Sequence, residues 1–159
     1  MNMLPAKMTS SAVIHKTFST NLFSASMIVK VLLQRKVNSK SLKNVIFISS
    51  NISNYGAKGL SLYAASKSGI DGLMRSLAVE LAPAVRVNSV LPGAIHTPMT
   101  NEIFQDEEKV KLMLSAYPLG KGNPEDVSNV IEFLLSDRSR WITGQQFTVD
   151  GGRTINLSI

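Results

Sequence analysis

The chain has 159 residues, of which 44% are hydrophobic and 18% charged. This composition excludes an intrinsically disordered chain and fits one globular domain at most. Seventeen Lys and Arg against eleven Asp and Glu give a net charge of +6, but the basic residues are scattered and do not alternate with aromatic ones. Binding to nucleic acid is therefore not expected.

Without cysteine the chain has neither a disulfide framework nor thiolate chemistry, which fits a cytoplasmic protein. The first residues, MNMLPAKMTSS, lack the apolar centre of a signal peptide. The most apolar helical stretch, residues 24–33, is interrupted by Lys30 and is too short to span a bilayer. We therefore expect no membrane association, and no metal site either.

The first predicted element is a helix over residues 11–35, capped by Thr9 or Ser10. Its apolar residues recur every three or four positions and form one stripe: Ile14, Phe18, Leu22, Ala25, Val29 and Leu32. A polar break leads to a β-branched strand over residues 45–48. A continuously apolar strand of this kind is typical of a parallel sheet that is covered on both faces.

The most informative stretch spans residues 44–67 and reads NVIFISSNISNYGAKGLSLYAASK. Tyr63 and Lys67 are four residues apart on a predicted helix that runs to about Leu81, so they share a face. A nearby ammonium group lowers the pKa of a tyrosine, which would make Tyr63 a general acid/base. Such pairs are also common on helix surfaces, and the spacing alone leaves both interpretations open.

A serine follows the strand at the point where a carbonyl substrate would need a hydrogen-bond donor. Ser50 is the favoured candidate, and its neighbour Ser49 is the alternative. Because side chains alternate along a strand, the two hydroxyls should point to opposite faces.

The next strand, residues 85–91, ends at Pro92-Gly93, where ligands of open α/β sheets commonly bind. Residues 100–117, including Ile103 and Phe104, read as an amphipathic cover. A last helix runs from the cap Asn123 toward residue 136, and a final strand covers residues 146–149.

In sequence order these motifs resemble the short-chain dehydrogenase/reductase family. The resemblance is carried by the serine, tyrosine and lysine above, by the segment STNLFSASM around Asn21, by NSVLPGAIHTPM at residues 88–99, and by the ending at residues 122–152. It implies a three-layer α/β fold with a Rossmann-like, doubly wound parallel sheet. It also implies an NAD(P)-dependent enzyme that interconverts a small-molecule carbonyl and a secondary alcohol, with NAD and NADP not distinguished.

The resemblance assigns residues to roles. The catalytic residues would be Asn21, Ser50, Tyr63 and Lys67, with Asn21 positioning a water that relays protons to Lys67. The cofactor-binding residues would be Tyr63, Lys67, Pro92, Gly93, Ile95 and Thr97. Pairing of the first helix and the Tyr63 helix with their copies implies a homo-oligomer, and both the apolar stripe and the small residues Ala65 and Gly69 suit that use.

One family motif is missing. No glycine-rich turn between a strand and a helix, which would bind the pyrophosphate through backbone N–H groups, is present in the sequence. We therefore expect residues 1–159 to form a single partial domain, the C-terminal portion of the fold. The alternative is a truncated, catalytically inactive fragment that acts only as an interaction or oligomerisation partner.

Overall fold

Three parallel strands form the sheet of this protein. The computed structural model describes residues 4–98, 100, 105 and 107–156. Strands β1 (Asn44–Ile48), β2 (Arg86–Pro92) and β3 (Gln146–Val149) are hydrogen-bonded neighbours in that order. The predicted parallel order is therefore confirmed.

The first helical region is not one uninterrupted α-helix. It consists of α1 (Ser11–Phe18), a π-helical turn (Ser19–Phe23) and α2 (Ser24–Leu32), followed by the short helix α3 (Arg35–Asn38). Ser10 is the N-cap, and its hydroxyl accepts a hydrogen bond from the backbone N–H of Val13 at 3.4 Å. A π turn adds one residue to a helical turn, a change that an apolar repeat of three or four residues does not reveal.

The long helix α4 (Ser61–Leu81) covers one face of the sheet together with α2. Met74, on the middle of α4, is completely buried against this face. The core between these elements consists of Val29, Phe47, Ile70, Met74, Leu77, Ala78, Val85 and Val87. Burial of this set is the main force that holds α4 on β1 and β2.

The apolar stripe of the first helix faces the core of its own chain. Val29 is buried, and Leu22 and Ala25 pack against the same core. Ile14 at the start of the stripe is exposed, and the expected use of the stripe as a contact with a second subunit stays a prediction. The large apolar side chains that α2 and the π turn leave exposed are Phe23, Met27, Ile28 and Val31.

Gly69 serves a contact within the chain, and its expected part in an intersubunit contact stays a prediction. A Cβ at position 69 would lie 2.9 Å from Cδ2 of Leu22 in the π turn. The missing side chain thus lets α4 approach the π turn closely. Of the two small residues expected at an interface, only Ala65 is exposed.

The last helices are α5 (Glu107–Leu114) and α6 (Pro124–Leu135). Helix α6 begins after the predicted cap Asn123, and the Asp126 carboxylate accepts a hydrogen bond from the backbone N–H of Asn123 at 2.7 Å. Leu134 of α6 is fully buried, and the guanidinium of Arg86 donates to its carbonyl at 2.8 Å. These contacts fix α6 to the sheet.

Part of the predicted cover over residues 100–117 corresponds to α5. Ile103 and Phe104 of the predicted cover lie outside the described residues. Met99, the last residue of the motif at residues 88–99, also lies outside them. Within the described part of the chain, no helix is long and apolar enough to cross a membrane.

Candidate active site

Ser50, Tyr63 and Lys67 meet at the carboxyl end of β1. Ser50 follows the strand, and its hydroxyl lies near enough to the Tyr63 phenol to lower the pKa of that group. Lys67, one turn along α4, places its Nζ 5.7 Å from the centroid of the Tyr63 ring. The ammonium donates to the carbonyl oxygen of Ile48 at 2.8 Å. Three of the four residues expected to be catalytic therefore form one cluster.

The two adjacent serines have different surroundings. Ser49 is buried, and its Oγ donates to Oδ2 of Asp71 at 2.9 Å and to the Lys67 carbonyl at 3.2 Å. Ser50 is only half-buried and contacts Tyr63. Of the two candidates, Ser50 is the one whose hydroxyl adjoins the phenol, as strand alternation predicts.

Asn21, the fourth residue, lies in the π turn. Its Nδ2 donates to Oγ of Ser66 at 2.9 Å, and that hydroxyl donates to the Tyr63 carbonyl at 2.8 Å. Asn21 therefore bonds to α4 between Tyr63 and Lys67, and its expected part in a proton relay to Lys67 stays a prediction. π turns occur frequently at functional sites.

The electrostatics of Tyr63 differ from the expectation that a lysine lowers its pKa. Burial raises the pKa of Tyr63 above its ordinary value of 10.0, and the nearby Ser50 hydroxyl opposes this only in part. Lys67 directs its ammonium to a backbone carbonyl instead of the phenol oxygen. In this chain Tyr63 is thus a protonated acid at neutral pH.

Lys67 is itself affected by burial. Desolvation lowers the pKa of its ammonium, and the negative charge of Asp71 acts in the opposite direction. Asp71 lies one helical turn beyond Lys67 and is buried. Sequence reasoning missed this residue, although its spacing of four from Lys67 and eight from Tyr63 places it on the same helix face.

The cofactor candidate Pro92 is the last residue of β2, and the candidate Gly93 follows it. The backbone N–H of Gly93 donates to the Val149 carbonyl of β3 at 2.9 Å. The next residue, Ala94, donates its N–H to the Tyr117 hydroxyl at 3.1 Å. The turn is therefore held by both the sheet and the segment that follows α5.

Ile95 and Thr97 belong to a compact hydrogen-bonded turn. Thr100 is its centre, with Oγ1 donating to the Ile95 carbonyl at 2.7 Å and accepting the Thr97 N–H at 2.9 Å. Gly93 and Ile95 line a cavity of about 490 Å³, which is not lined by Tyr63 or Lys67. The expected site residues thus form two groups, one beyond β1 and one beyond β2.

A second polar cluster joins distant parts of the chain. The Asp150 carboxylate accepts hydrogen bonds from Asn51 Nδ2 at 3.1 Å, from the N–H of Gly152 at 3.1 Å, and from both the N–H (2.8 Å) and the hydroxyl of Thr154. Burial raises the pKa of Asp150, but these bonds outweigh it, so the pKa lies below the ordinary value of 3.8. No sequence signal connects Asn51 with a residue 99 positions away.

Metal chemistry has no candidate ligand set in the part of the chain that the structure describes. Within residues 4–98, 100, 105 and 107–156, no three His, Cys, Asp or Glu residues lie close enough together to hold an ion.

The parallel sheet covered by helices, with a Ser–Tyr–Lys cluster at the carboxyl end of one strand, defines a Rossmann-like α/β domain. The chain belongs to the short-chain dehydrogenase/reductase family. The family model described as enoyl-(acyl carrier protein) reductase matches residues 3–154.

Among curated relatives, the chain is similar to L-rhamnose 1-dehydrogenase (NAD(P)(+)) of Sphingomonas sp. (strain SKA58), with 36% identity over 91% of this chain and 58% of the relative. It is also similar to the 3-oxoacyl-(acyl-carrier-protein) reductase FabG of Thermotoga maritima, with 45% identity over 70% of this chain and 46% of the relative. The chain thus spans about half the length of the curated relatives that it matches.

Solved structures give the same result for the fold. A 4-hydroxyisoleucine dehydrogenase mutant complexed with NADH and succinate superposes with a TM-score of 0.91 at 31% identity, covering 97% of this chain and 64% of that one. A short-chain type dehydrogenase/reductase from Mycobacterium ulcerans has a TM-score of 0.90 at 31% identity, covering 98% and 57%. The predicted fold class is confirmed.

Proposed function

We propose that this chain carries the acid/base and substrate-binding part of an NAD(P)-dependent oxidoreductase that interconverts a carbonyl and a secondary alcohol. The observation that carries the proposal is the cluster at the end of β1, where the Ser50 hydroxyl lies next to the Tyr63 phenol and Lys67 lies one turn further along the same helix face. A protonated phenol beside a hydroxyl is suited to donate a proton to a substrate oxygen.

The residues have distinct roles in this reaction. In the direction of reduction, Tyr63 donates its proton to the carbonyl oxygen, and in oxidation the phenolate takes the proton back. Ser50 donates a hydrogen bond to the same oxygen, where negative charge develops. Asn21 holds α4 through Ser66 and, as the family resemblance implies, positions a water that passes protons to Lys67.

The donor set at this edge of the sheet fits the nicotinamide end of a dinucleotide. The Lys67 ammonium has three N–H donors, which suits the hydroxyls of a ribose. Backbone and hydroxyl groups of Ile95 and Thr97 are the candidates for the carboxamide and phosphates. When bound, the nicotinamide supplies or accepts the hydride. The proposal leaves NAD and NADP as alternatives.

A chimera tests this proposal most directly. The N-terminal part of the Thermotoga maritima relative is joined to this chain, and turnover of small ketones is measured together with the Kd of NADH and NADPH. We expect Tyr63→Phe to lower turnover at least about 100-fold, the range of general acid catalysis, with little change in Kd. Lys67→Ala should impair both, because it is assigned to the ribose as well.

The matched control is Tyr55→Phe, since Tyr55 is also a half-buried tyrosine but lies outside the cluster. It should retain most of the activity. If Tyr63→Phe performs as well as Tyr55→Phe, the catalytic assignment is wrong.

We also propose that the protein is cytoplasmic and forms homo-oligomers. The support for association is the apolar surface on α2 and the π turn, where Phe23, Met27 and Val31 follow one another at intervals of four residues and are all exposed. Residues at this spacing share one helix face, and an exposed apolar stripe favours contact with another protein surface.

A further inference from the structure

The end of β1 contacts α4 through three successive residues. Ile48 accepts a hydrogen bond from Lys67 Nζ at 2.8 Å, Ser49 donates to Asp71 at 2.9 Å, and the Ser50 hydroxyl lies next to the Tyr63 phenol. Their partners on α4 are the residues Tyr63, Lys67 and Asp71, spaced four apart and therefore on one face. The proposed function uses the first two of these partners and leaves Asp71 without a role.

Asp71 is held in an unusual place for a carboxyl group. It is only 2% exposed, and one of its oxygens, Oδ2, accepts from Ser49. The other oxygen, Oδ1, is buried and has no hydrogen-bond partner within the described part of the chain. A buried polar atom without a partner lowers stability, so its presence in a folded chain needs an explanation.

The surroundings of Lys67 supply that explanation. The last residue of β1 presents the Ile48 carbonyl toward this part of α4, and the two residues after the strand present the hydroxyls of Ser49 and Ser50. The π turn presents the amide of Asn21. None of these groups carries a charge. On α4 itself, Tyr63 is neutral at pH 7 because burial raises its pKa. Asp71 supplies the negative charge that counteracts the effect of burial on the Lys67 ammonium.

We propose that Asp71 is a positioning residue for Lys67. Its carboxylate, anchored by Ser49, supplies the buried counter-charge of the ammonium and ties the turn that carries Lys67 to the strand that carries Ser50. The inference rests on the proposed function for the importance of Lys67 to the reaction. Asp71 itself touches neither substrate nor cofactor in this account.

The test is an NMR titration of the chain with ¹³C-labelled lysine, in which the signal of Lys67 is assigned with Lys67→Arg. Asp71→Asn removes the charge but keeps an oxygen that accepts the Ser49 hydroxyl. We expect the pKa of Lys67 to fall by about one unit, the size of shift that a nearby opposite charge produces.

A matched control and a second variant complete the design. Glu80→Gln makes the same change of charge at an exposed position more than three turns beyond Lys67 on α4, and it should leave the pKa of Lys67 unchanged. Asp71→Val removes the charge together with the unpartnered oxygen, so it should lower the pKa of Lys67 in the same way. Because the ammonium then lacks its counter-charge, this variant should also be less stable than the wild type.

The NMR titration and the turnover of the chimera test the two proposals separately. A Lys67 pKa that is the same in Asp71→Asn, Asp71→Val and Glu80→Gln would overturn this inference and leave the proposed function standing, because the titration needs no turnover. Retained turnover in the Tyr63→Phe chimera would instead overturn the proposed function while the electrostatic link between Asp71 and Lys67 could still be measured.

Discussion

Gly93 is the position where a single methyl group should be most disruptive to the candidate site. A Cβ added there would lie 2.8 Å from both Cα and Cβ of Asp150 and 2.9 Å from Cε1 of Tyr117. Ordinary contacts of this kind are 3.4–4 Å, so atoms have to move by about half an ångström. One of the obstructing atoms belongs to the backbone of the turn after β3, which cannot rotate away as a flexible side chain can.

Overpacking of this kind costs about 1–3 kcal/mol. For a domain of this size, each kcal/mol lowers the melting temperature by about 2–4 °C, so Gly93→Ala should lower it by roughly 2–12 °C. The movement would also disturb the Asp150 cluster next to the turn. Thermal unfolding followed by circular dichroism measures the effect.

The control for this substitution is Gly56→Ala, because no atom lies within 4 Å of a Cβ at position 56. A glycine-to-alanine change without a clash reduces the entropy of the unfolded chain and is expected to be neutral or to stabilise by up to about 1 kcal/mol. Equal melting temperatures for the two variants would show that the turn after β2 is free to relax, contrary to the packing described here.

Two further predictions follow from the acidic cluster and the exposed helix face. The folded-state pKa of Asp150 lies below its ordinary value, so its contribution to stability is present above pH 4 and is lost as the pH falls through the folded-state pKa. The difference in free energy of unfolding between the wild type and Asp150→Asn should therefore be largest near pH 7 and shrink toward pH 2. Denaturant titrations at several pH values measure this difference. A difference that does not change with pH would contradict the lowered pKa of Asp150. For the exposed apolar face formed by Phe23, Met27 and Val31, we expect light scattering to detect dimers or larger species of the wild-type chain. Met27→Lys, at the centre of that face, should shift these species toward monomer. A monodisperse wild-type monomer would contradict the proposed association.

Local patterns predicted much of the fold and the centre of the site. The three strands and their parallel order were predictable because a β-branched run covered on both faces has few other solutions. Tyr63 and Lys67 could be paired because residues four apart on a helix share a face in any fold. Ser50 was favoured over Ser49 by its spacing of thirteen residues from Tyr63, and strand alternation separates the two hydroxyls because neighbours on a strand point in opposite directions.

Other features depended on contacts that no local pattern records. The apolar stripe of the first helix was predicted correctly, but whether it faces its own core or a second subunit depends on where α4 and β1 lie. The π turn that contains Asn21 differs from an α-helix only in its backbone hydrogen bonds, so the amino-acid composition of the segment does not reveal it.

The sequence by itself determined which residues are candidates for proton exchange, because the chemistry of Tyr63, Lys67 and Ser50 and their spacing along the chain are local properties. Only the tertiary structure decided their electrostatic state. The pKa of Tyr63 is raised where a neighbouring lysine predicted a lower value, because burial is a property of the packed chain. The charge of Asp71 acts on Lys67 for the same reason: folding has removed the water that would otherwise screen it.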